Sequence, residues 1–100
     1  MFQNHYMTKG ISSEIPFYLQ NLMWIMIDRM ETDKKDYLQI FELSKVFAEG
    51  KVFQKIIHRQ EQPEYEKSIT ILANEDNIVE KKVYVIDDMS HCTMLLAEEY

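Results

Sequence analysis

The chain has 100 residues, of which 46% are hydrophobic and 28% charged, and its formal net charge is −6 at pH 7. This length predicts one domain covering residues 1–100, with one hydrophobic core. The acidic balance argues against general binding to nucleic acids or anionic membranes, because both require a concentration of cations. The only cysteine, Cys92, cannot form an intrachain disulfide, which is typical of a reducing compartment.

Targeting signals are not evident in the sequence. Residues 1–10 are polar and include His5 and Lys9, so they do not resemble a secretion signal. The longest apolar run, residues 15–30, is too short to span a bilayer and is interrupted by polar residues such as Gln20 and Asp28. We therefore expect a cytoplasmic protein that does not bind membranes.

The first predicted elements are a short strand, His5–Lys9, and one long helix, residues 15–30. At 100° per residue, the apolar side chains of this run form a stripe roughly 80° wide on a helical wheel. The stripe contains Ile15, Leu19, Leu22, Met26 and Met30, widened by Met23 and Ile27 on one side and by Tyr18 and Ile25 on the other. Ser12 and Ser13 are candidate N-caps, and Pro16 suits an opening turn.

Two aromatic residues lie on the polar side of this helix. Phe17 and Trp24 are seven residues apart and share an arc with Gln20, Asn21 and Asp28. One interpretation is that a loop or a second layer covers both rings. The other is that they form an exposed pair that docks a partner or a second copy, since Trp and Phe are enriched in interfaces.

The segment after the helix is ambiguous. Residues 36–44, DYLQIFELS, could form a helix with Asp36 as N-cap and Gly50 as the stop signal. We favour a strand, because the apolar density is high on both faces and aromatic residues favour strands.

The rest of the chain predicts strands joined by short turns. Turn signals occur at residues 48–51, 60–64, 74–77 and 87–90. The strands between them are predicted at residues 52–61, 65–72, 82–86 and 91–97. Short connections favour antiparallel neighbours. We predict an α+β fold in which one long helix packs on one face of a curved, mainly antiparallel sheet of about five to six strands.

Four blocks resemble a small family of uncharacterised proteins from low-GC Gram-positive bacteria. They are TKGI (8–11), DYLQIFEL (36–43), QEQPEY (60–65) and MLLAEEY (94–100). The resemblance covers most of the chain and implies a compact bacterial cytoplasmic domain. It implies no activity, because the family is one of unknown function, and no functional residues follow from it.

Catalytic and metal sites were sought among the histidines and the cysteine. Adjacent residues such as His91 and Cys92 point to opposite faces of a strand, so they should not form a nucleophile–base pair or a zinc site. We expect Cys92, Met94 and Leu96 to face the core. His58 is interpreted as a surface or half-buried strand residue. We therefore assign no catalytic, cofactor or metal residues.

The densest polar stretch, residues 60–67, contains Glu61, Glu64 and Tyr65. It predicts a solvated hairpin tip. The alternative is a recognition loop, in which Tyr65 anchors a partner and the acidic residues attract a basic one.

Two functions stay open. We favour a small non-enzymatic interaction or regulatory module that binds a protein partner or a second copy, through Phe17, Trp24, Glu61, Glu64 or Tyr65. The alternative is a small enzyme or ligand-binding domain with a pocket between helix and sheet, to which His58 or His91 contributes. No cofactor and no nucleic-acid partner is expected under the first function.

Overall fold

A computed structural model describes residues 4–100 and contains six strands, two α-helices and two short 3₁₀ turns. The helices are α1 (Lys9–Glu14) and α2 (Phe17–Asp28). The strands are β1 (His5–Met7), β2 (Leu38–Ala48), β3 (Lys51–Gln60), β4 (Tyr65–Leu72), β5 (Lys81–Asp87) and β6 (Cys92–Leu96). The 3₁₀ turns lie at Glu75–Asn77 and Ala97–Glu99.

The strands form one sheet in the order β1-β6-β5-β2-β3-β4. All neighbours are antiparallel except β1 and β6, which run parallel. The prediction of an α+β fold with a mainly antiparallel sheet is therefore confirmed. No helix in the described residues is long and apolar enough to cross a membrane.

The helix predicted over residues 15–30 is found as α2 over Phe17–Asp28, so it is shorter than predicted, and it is accompanied by another helix, α1. Pro16 lacks a backbone N–H and disfavours a helical conformation in the residue before it, and Ile15 is accordingly extended at φ −110° and ψ 117°. Helix α2 begins after this break. The other helix, α1, comes before α2 in the chain. It occupies residues that were predicted as the end of a strand and a loop.

Helix α1 has a capping residue that the sequence did not reveal. Thr8 is its N-cap, and its hydroxyl accepts a hydrogen bond from the Ile11 amide at 3.3 Å. Ser12 and Ser13, the predicted N-caps, lie inside α1. The helix was missed because Gly10 and two serines are weak helix formers in a helix of only six residues.

Glu99, in the last 3₁₀ turn, ties α1 to the segment after β6. Its carboxylate accepts hydrogen bonds from the Thr8 hydroxyl at 2.6 Å, the Gly10 amide at 3.2 Å and the Leu96 amide at 2.8 Å. These hydrogen bonds hold the pKa of Glu99 below its usual value. A Cβ on Gly10 would lie 2.6 Å from Glu99 Oε1, so glycine is required for this close approach.

The core lies between the two helices and one face of the sheet. Its fully buried residues include Ile11, Leu19, Met23, Ile27, Phe41, Ile56, Val83 and Met94. Leu22 and Met26, predicted at the centre of the helix stripe, are only half-buried. The buried stripe of α2 is therefore centred on Leu19, Met23 and Ile27.

Gln20 is also buried, although it lies in the predicted polar arc. Its amide donates to the Ile15 carbonyl at 2.9 Å and the Ile11 carbonyl at 3.5 Å. It thereby adds a side-chain donor at the C-terminal end of α1, where the Ile11 carbonyl also accepts the Ile15 amide at 3.0 Å.

The strand interpretation of residues 36–44 is confirmed from Leu38 onward, and β2 continues to Ala48. The turn to β3 has positive φ at Glu49 (51°) and Gly50 (74°), as a two-residue hairpin turn requires. The later strands also occur where the sequence predicted them, within one or two residues at their ends.

Candidate functional site

A cleft opens between α2 and the sheet at the edge formed by β3 and β4. Its volume is about 200 Å³. It is lined by Leu22, Ile25 and Met26 of α2, Arg29 at the C-cap of α2, His58 of β3, and Tyr65, Lys67 and Ile69 of β4. We refer to these eight residues as the cleft.

Helical and strand periodicity together place these side chains. On α2, the cleft residues are three or four positions apart, so they lie along one flank of the helix. On β4, Tyr65, Lys67 and Ile69 alternate and therefore face the same side of the sheet. Ile25 is 45% exposed although it is a large apolar residue. The flank of α2 at this edge is thus only partly covered.

His58 lines the cleft from its sheet side. Its ring is fully buried and stacks on Phe41, with centroids 4.4 Å apart and an interplanar angle of 13°. Tyr65 meets the same ring edge-on at 5.5 Å. The prediction of a surface or half-buried His58 is wrong, because the sheet's inner face and α2 cover this position.

A chain of three buried side chains fixes the hydrogen bonding of His58. Gln39 donates its amide hydrogens to the Asp36 carbonyl at 3.0 Å and to Gln60 Oε1 at 2.8 Å. Its Oε1 is therefore left as an acceptor, and His58 Nε2 lies 2.6 Å from it. It follows that Nε2 of His58 carries the proton and that its Nδ1 is unprotonated.

Gln60 anchors the other end of this chain. Its amide donates to the Lys34 carbonyl at 3.1 Å and the Pro63 carbonyl at 2.8 Å. Its Oε1 also accepts the Asp36 amide at 2.8 Å. The buried side chains thus join the segment before β2 to the loop between β3 and β4.

The electrostatic environment keeps His58 neutral. Burial, together with the nearby Lys35 ammonium, lowers its pKa to about 4. Nδ1 is buried and has no hydrogen-bond partner among residues 4–100. A neutral ring that is walled off from solvent supports a binding or structural role better than proton transfer.

Both charged residues of the cleft are cationic. Arg29 and Lys67 are exposed, and neither makes an ion pair with any residue that the structure describes. Burial raises the pKa of the Tyr65 phenol, and the nearby Glu31 carboxylate raises it further. Glu31 itself does not line the cleft. The cleft is therefore a locally positive site on an acidic protein.

Strand β4 is the last strand of the sheet in its order. One side of β4 pairs with β3 from Tyr65 to Leu72. Between residues 4 and 100, no strand pairs with its other side. An unpaired strand edge offers N–H and C=O groups to an incoming strand.

The predicted partner-binding residues do not form one surface. Only Tyr65 lines the cleft. Phe17 is 69% exposed and borders a separate open hollow of about 370 Å³ near Pro16. Glu61 and Glu64 are exposed in the loop between β3 and β4.

Trp24 is packed within the fold and is not an exposed ring. Its ring stacks on His5 of β1, with centroids 3.7 Å apart and an interplanar angle of 3°. It is half-buried and packs against the core. Strand β1 thus covers Trp24, whereas Phe17 stays uncovered, so the two rings of the predicted pair differ.

His91 and Cys92 face different environments, as predicted. Cys92 is fully buried, and burial together with the nearby Asp87 raises the pKa of its thiol to about 11. His91 lies near the surface, where its Nε2 is 3.2 Å from Asp88 Oδ2. Cys92, Met94 and Leu96 all face the core, which confirms that prediction. Among residues 4–100, no group of three potential ligands is placed to hold a metal ion.

Several residues of the site were missed from the sequence. Ile25, Arg29 and Lys67 belong to elements that are distant along the chain, and no local pattern links them. The sequence did give a signal for Gln39 and Gln60. Side chains alternate between the two faces of a strand, so each of these positions could be assigned to one face. Their pairing depends on the β2–β3 register, which sequence alone did not provide.

These features define a small α+β protein, mostly sheet, with both helices on one face and a cleft at one edge. The sequence matches, over residues 4–99, the family described as "Staphylococcal protein of unknown function (DUF960)". The chain therefore belongs to this family. No curated protein matches the sequence significantly.

A solved structure has a similar fold. The crystal structure of a protein of unknown function from Enterococcus faecalis matches with a TM-score of 0.75 and 24% sequence identity. The match covers 97% of this chain and 90% of the other. Both comparisons point to low-GC Gram-positive bacteria, which confirms the resemblance noted in the sequence.

Proposed function

We propose that this protein is a small non-enzymatic binding module, and that a segment of a protein partner occupies the cleft beside β4. The observation that carries this proposal is the position of the cleft. A partly exposed apolar flank of α2 lies next to the unpaired edge of β4, so side-chain and main-chain binding groups lie side by side.

Strand addition explains how these groups would act together. An extended segment that pairs with β4 gains main-chain hydrogen bonds along a strand of eight residues. Its alternate side chains would lie on the helix side of the sheet, next to Leu22, Ile25 and Ile69. Burial of these side chains would supply apolar contact area that is now exposed to water.

The alternative, a small enzyme, has less support. His58 is the only histidine of the cleft. Its Nε2 proton is donated to Gln39, its other nitrogen, Nδ1, is buried, and its pKa of about 4 makes the ring a weak base. Burial raises the pKa of Tyr65, so its phenol stays protonated. Neither group is prepared to act as a base or nucleophile toward a substrate at pH 7.

The proposal places this module in the cytoplasm. The net charge of −6 and the single buried cysteine with its raised pKa support a soluble protein in a reducing compartment.

Selection from random peptide libraries tests the binding role. The purified full chain is the bait, and enriched peptides are measured by fluorescence anisotropy against two variants. Ile25→Asp puts a charge on the apolar flank and should weaken binding about tenfold or more, as central interface residues do. Phe47→Asp is the matched control, since Phe47 is 64% exposed and does not line the cleft; it should change binding less than about twofold. Failure to enrich any peptide, or equal binding by both variants, would contradict the proposal.

A further inference from the structure

We propose that the segment bound in the cleft is the free C-terminal end of a partner polypeptide. Its last, apolar side chain enters the cleft, and Arg29 and Lys67 bind its terminal carboxylate. This inference rests on the binding function proposed above and names the chemical class of the partner.

The charge of the cleft selects an anionic group. The lining residues include two cations and no carboxylate, whereas the whole chain has 17 acidic residues and 11 lysines and arginines. Neither Arg29 nor Lys67 is neutralised by an ion pair within residues 4–100. Two unpaired cations beside an apolar surface are complementary to an apolar group that carries a carboxylate.

The size of the cleft selects a single side chain. Sites for drug-sized ligands and cofactors usually have volumes of about 300–1,000 Å³. At about 200 Å³, this cleft is smaller than that range. Leu22, Ile25, Met26 and Ile69 make most of its wall apolar, so an aliphatic or aromatic side chain is the matching occupant.

The strand edge selects a polypeptide over a small free acid. Tyr65, Lys67 and Ile69 line the cleft and also belong to β4, whose outer edge has no strand partner in the described residues. A peptide that pairs with this edge delivers its side chains to the cleft at a fixed spacing. A small carboxylic acid would use the cations and the apolar wall but none of the main-chain groups.

Glu31 is the carboxylate that could oppose this assignment. Its charge is close enough to Tyr65 to help raise the pKa of that phenol, after the larger effect of burial, but Glu31 is not part of the cleft wall. Arg29, at the C-cap of α2, and Lys67, on β4, are on the wall itself, so a bound carboxylate meets both cations first. Binding should therefore weaken as salt concentration rises, because both side chains are exposed.

The test compares free and blocked C-termini. Two synthetic libraries carry the same random seven-residue segment, one ending in a free carboxylate and the other blocked as a carboxamide. The enriched sequences are then synthesised as free acids and as carboxamides, and their dissociation constants for the wild-type chain are measured by fluorescence anisotropy. We expect enrichment only from the free-carboxylate library, apolar last residues, and binding about tenfold weaker for the carboxamide.

Substitutions locate the carboxylate. Arg29→Gln and Lys67→Gln should each weaken the free acid about three- to tenfold while leaving the carboxamide unchanged. Lys55→Gln is the matched control on β3, because Lys55 does not line the cleft, and it should have less than about a twofold effect. Since Arg29 and Lys67 are exposed, these variants should keep the fold.

Three results would overturn the inference. Peptides from the blocked library that bind as well as the free acids would show that no C-terminus is needed, while the binding function itself would stand. Binding of 3-phenylpropanoate as tight as that of the best peptide would show that the strand edge contributes nothing. Enrichment from neither library would defeat this inference and the proposed function together.

Discussion

His58 Nε2 donates a hydrogen bond to Gln39 Oε1 over 2.6 Å, inside a chain of buried amides that ends at Gln60. The direction of this bond follows from the other bonds of Gln39, whose amide nitrogen is already donating twice. His58 is therefore held as the neutral tautomer with its proton on Nε2.

The buried His58 should make the protein less stable in mild acid. Its pKa is about 4 in the folded state and 6.5 without burial, so between these pH values the unfolded chain binds a proton that the folded chain does not. The contribution of His58 to the free energy of unfolding is full above pH 6.5. As pH falls from 6.5 to about 4, this free energy should decrease by about 3 kcal/mol, and the loss should level off below pH 4.

Urea unfolding across this pH range measures the effect. His58→Gln can still donate to Gln39 but cannot titrate, so the difference between the two pH profiles isolates the histidine from the carboxylates. Parallel profiles for the wild type and the variant, or an NMR titration of His58 with its midpoint near 6.5, would disprove this account.

Trp24 and Phe17 should differ sharply in their contribution to stability. Trp24 is stacked between His5 and the core, so Trp24→Ala should lower the free energy of unfolding by about 2–4 kcal/mol. Phe17 is 69% exposed, and Phe17→Ala should change it by about 0.5 kcal/mol or less. Met23→Ala is the buried control and should cost about 2–5 kcal/mol, since Met23 is fully buried. Urea midpoints of the three variants rank them, and a stable Trp24→Ala protein would show that β1 does not hold this ring in solution.

Gly10→Ala should destabilise the protein through Glu99. The new Cβ would lie 2.6 Å from Oε1, so the carboxylate must move away and lose its hydrogen bonds to Thr8, Gly10 and Leu96. In a Glu99→Ala background no carboxylate is in the way. The same Gly10→Ala change should there stabilise α1 by about 0.5–1 kcal/mol, because alanine is the better helix former.

A double-mutant cycle of melting temperatures tests this relationship. The sign of the Gly10→Ala effect should reverse between the two backgrounds. An equal loss of melting temperature in both would mean that Glu99 does not occupy this position.

Gln54 should hold the segment between β4 and β5 against the sheet. It is fully buried, accepts the Val79 amide at 2.8 Å and donates to the Val79 carbonyl at 3.0 Å. Gln54→Leu would leave both groups of Val79 without these partners and should cost about 2–3 kcal/mol. Hydrogen exchange should show the Val79 amide losing its protection while the amides of β2 and β5 keep theirs. Gln62→Leu, on the exposed loop after β3, serves as the control.

The positions of the later strands along the chain could be predicted from the sequence, because each is a short alternating or β-rich run between turn residues. Tyr65–Leu72 alternates without interruption, and Glu49-Gly50 supplies the positive φ of a tight hairpin turn. These signals are local, since they depend on backbone preferences and on which residues share a strand face. The apolar period of α2 was equally visible.

What the sequence could not decide depends on residues far apart along the chain. Helix α1 contains weak helix formers and is held by Glu99, some 89 positions away from Gly10. His58 looked like a surface residue because its burial depends on the register of β2 with β3 and on the position of α2. Arg29 and Lys67 line the same cleft only because the strand order places β4 at the edge of the sheet, next to α2. Local patterns thus determined the elements, whereas long-range pairing and packing decided which polar groups are buried and where a binding site forms.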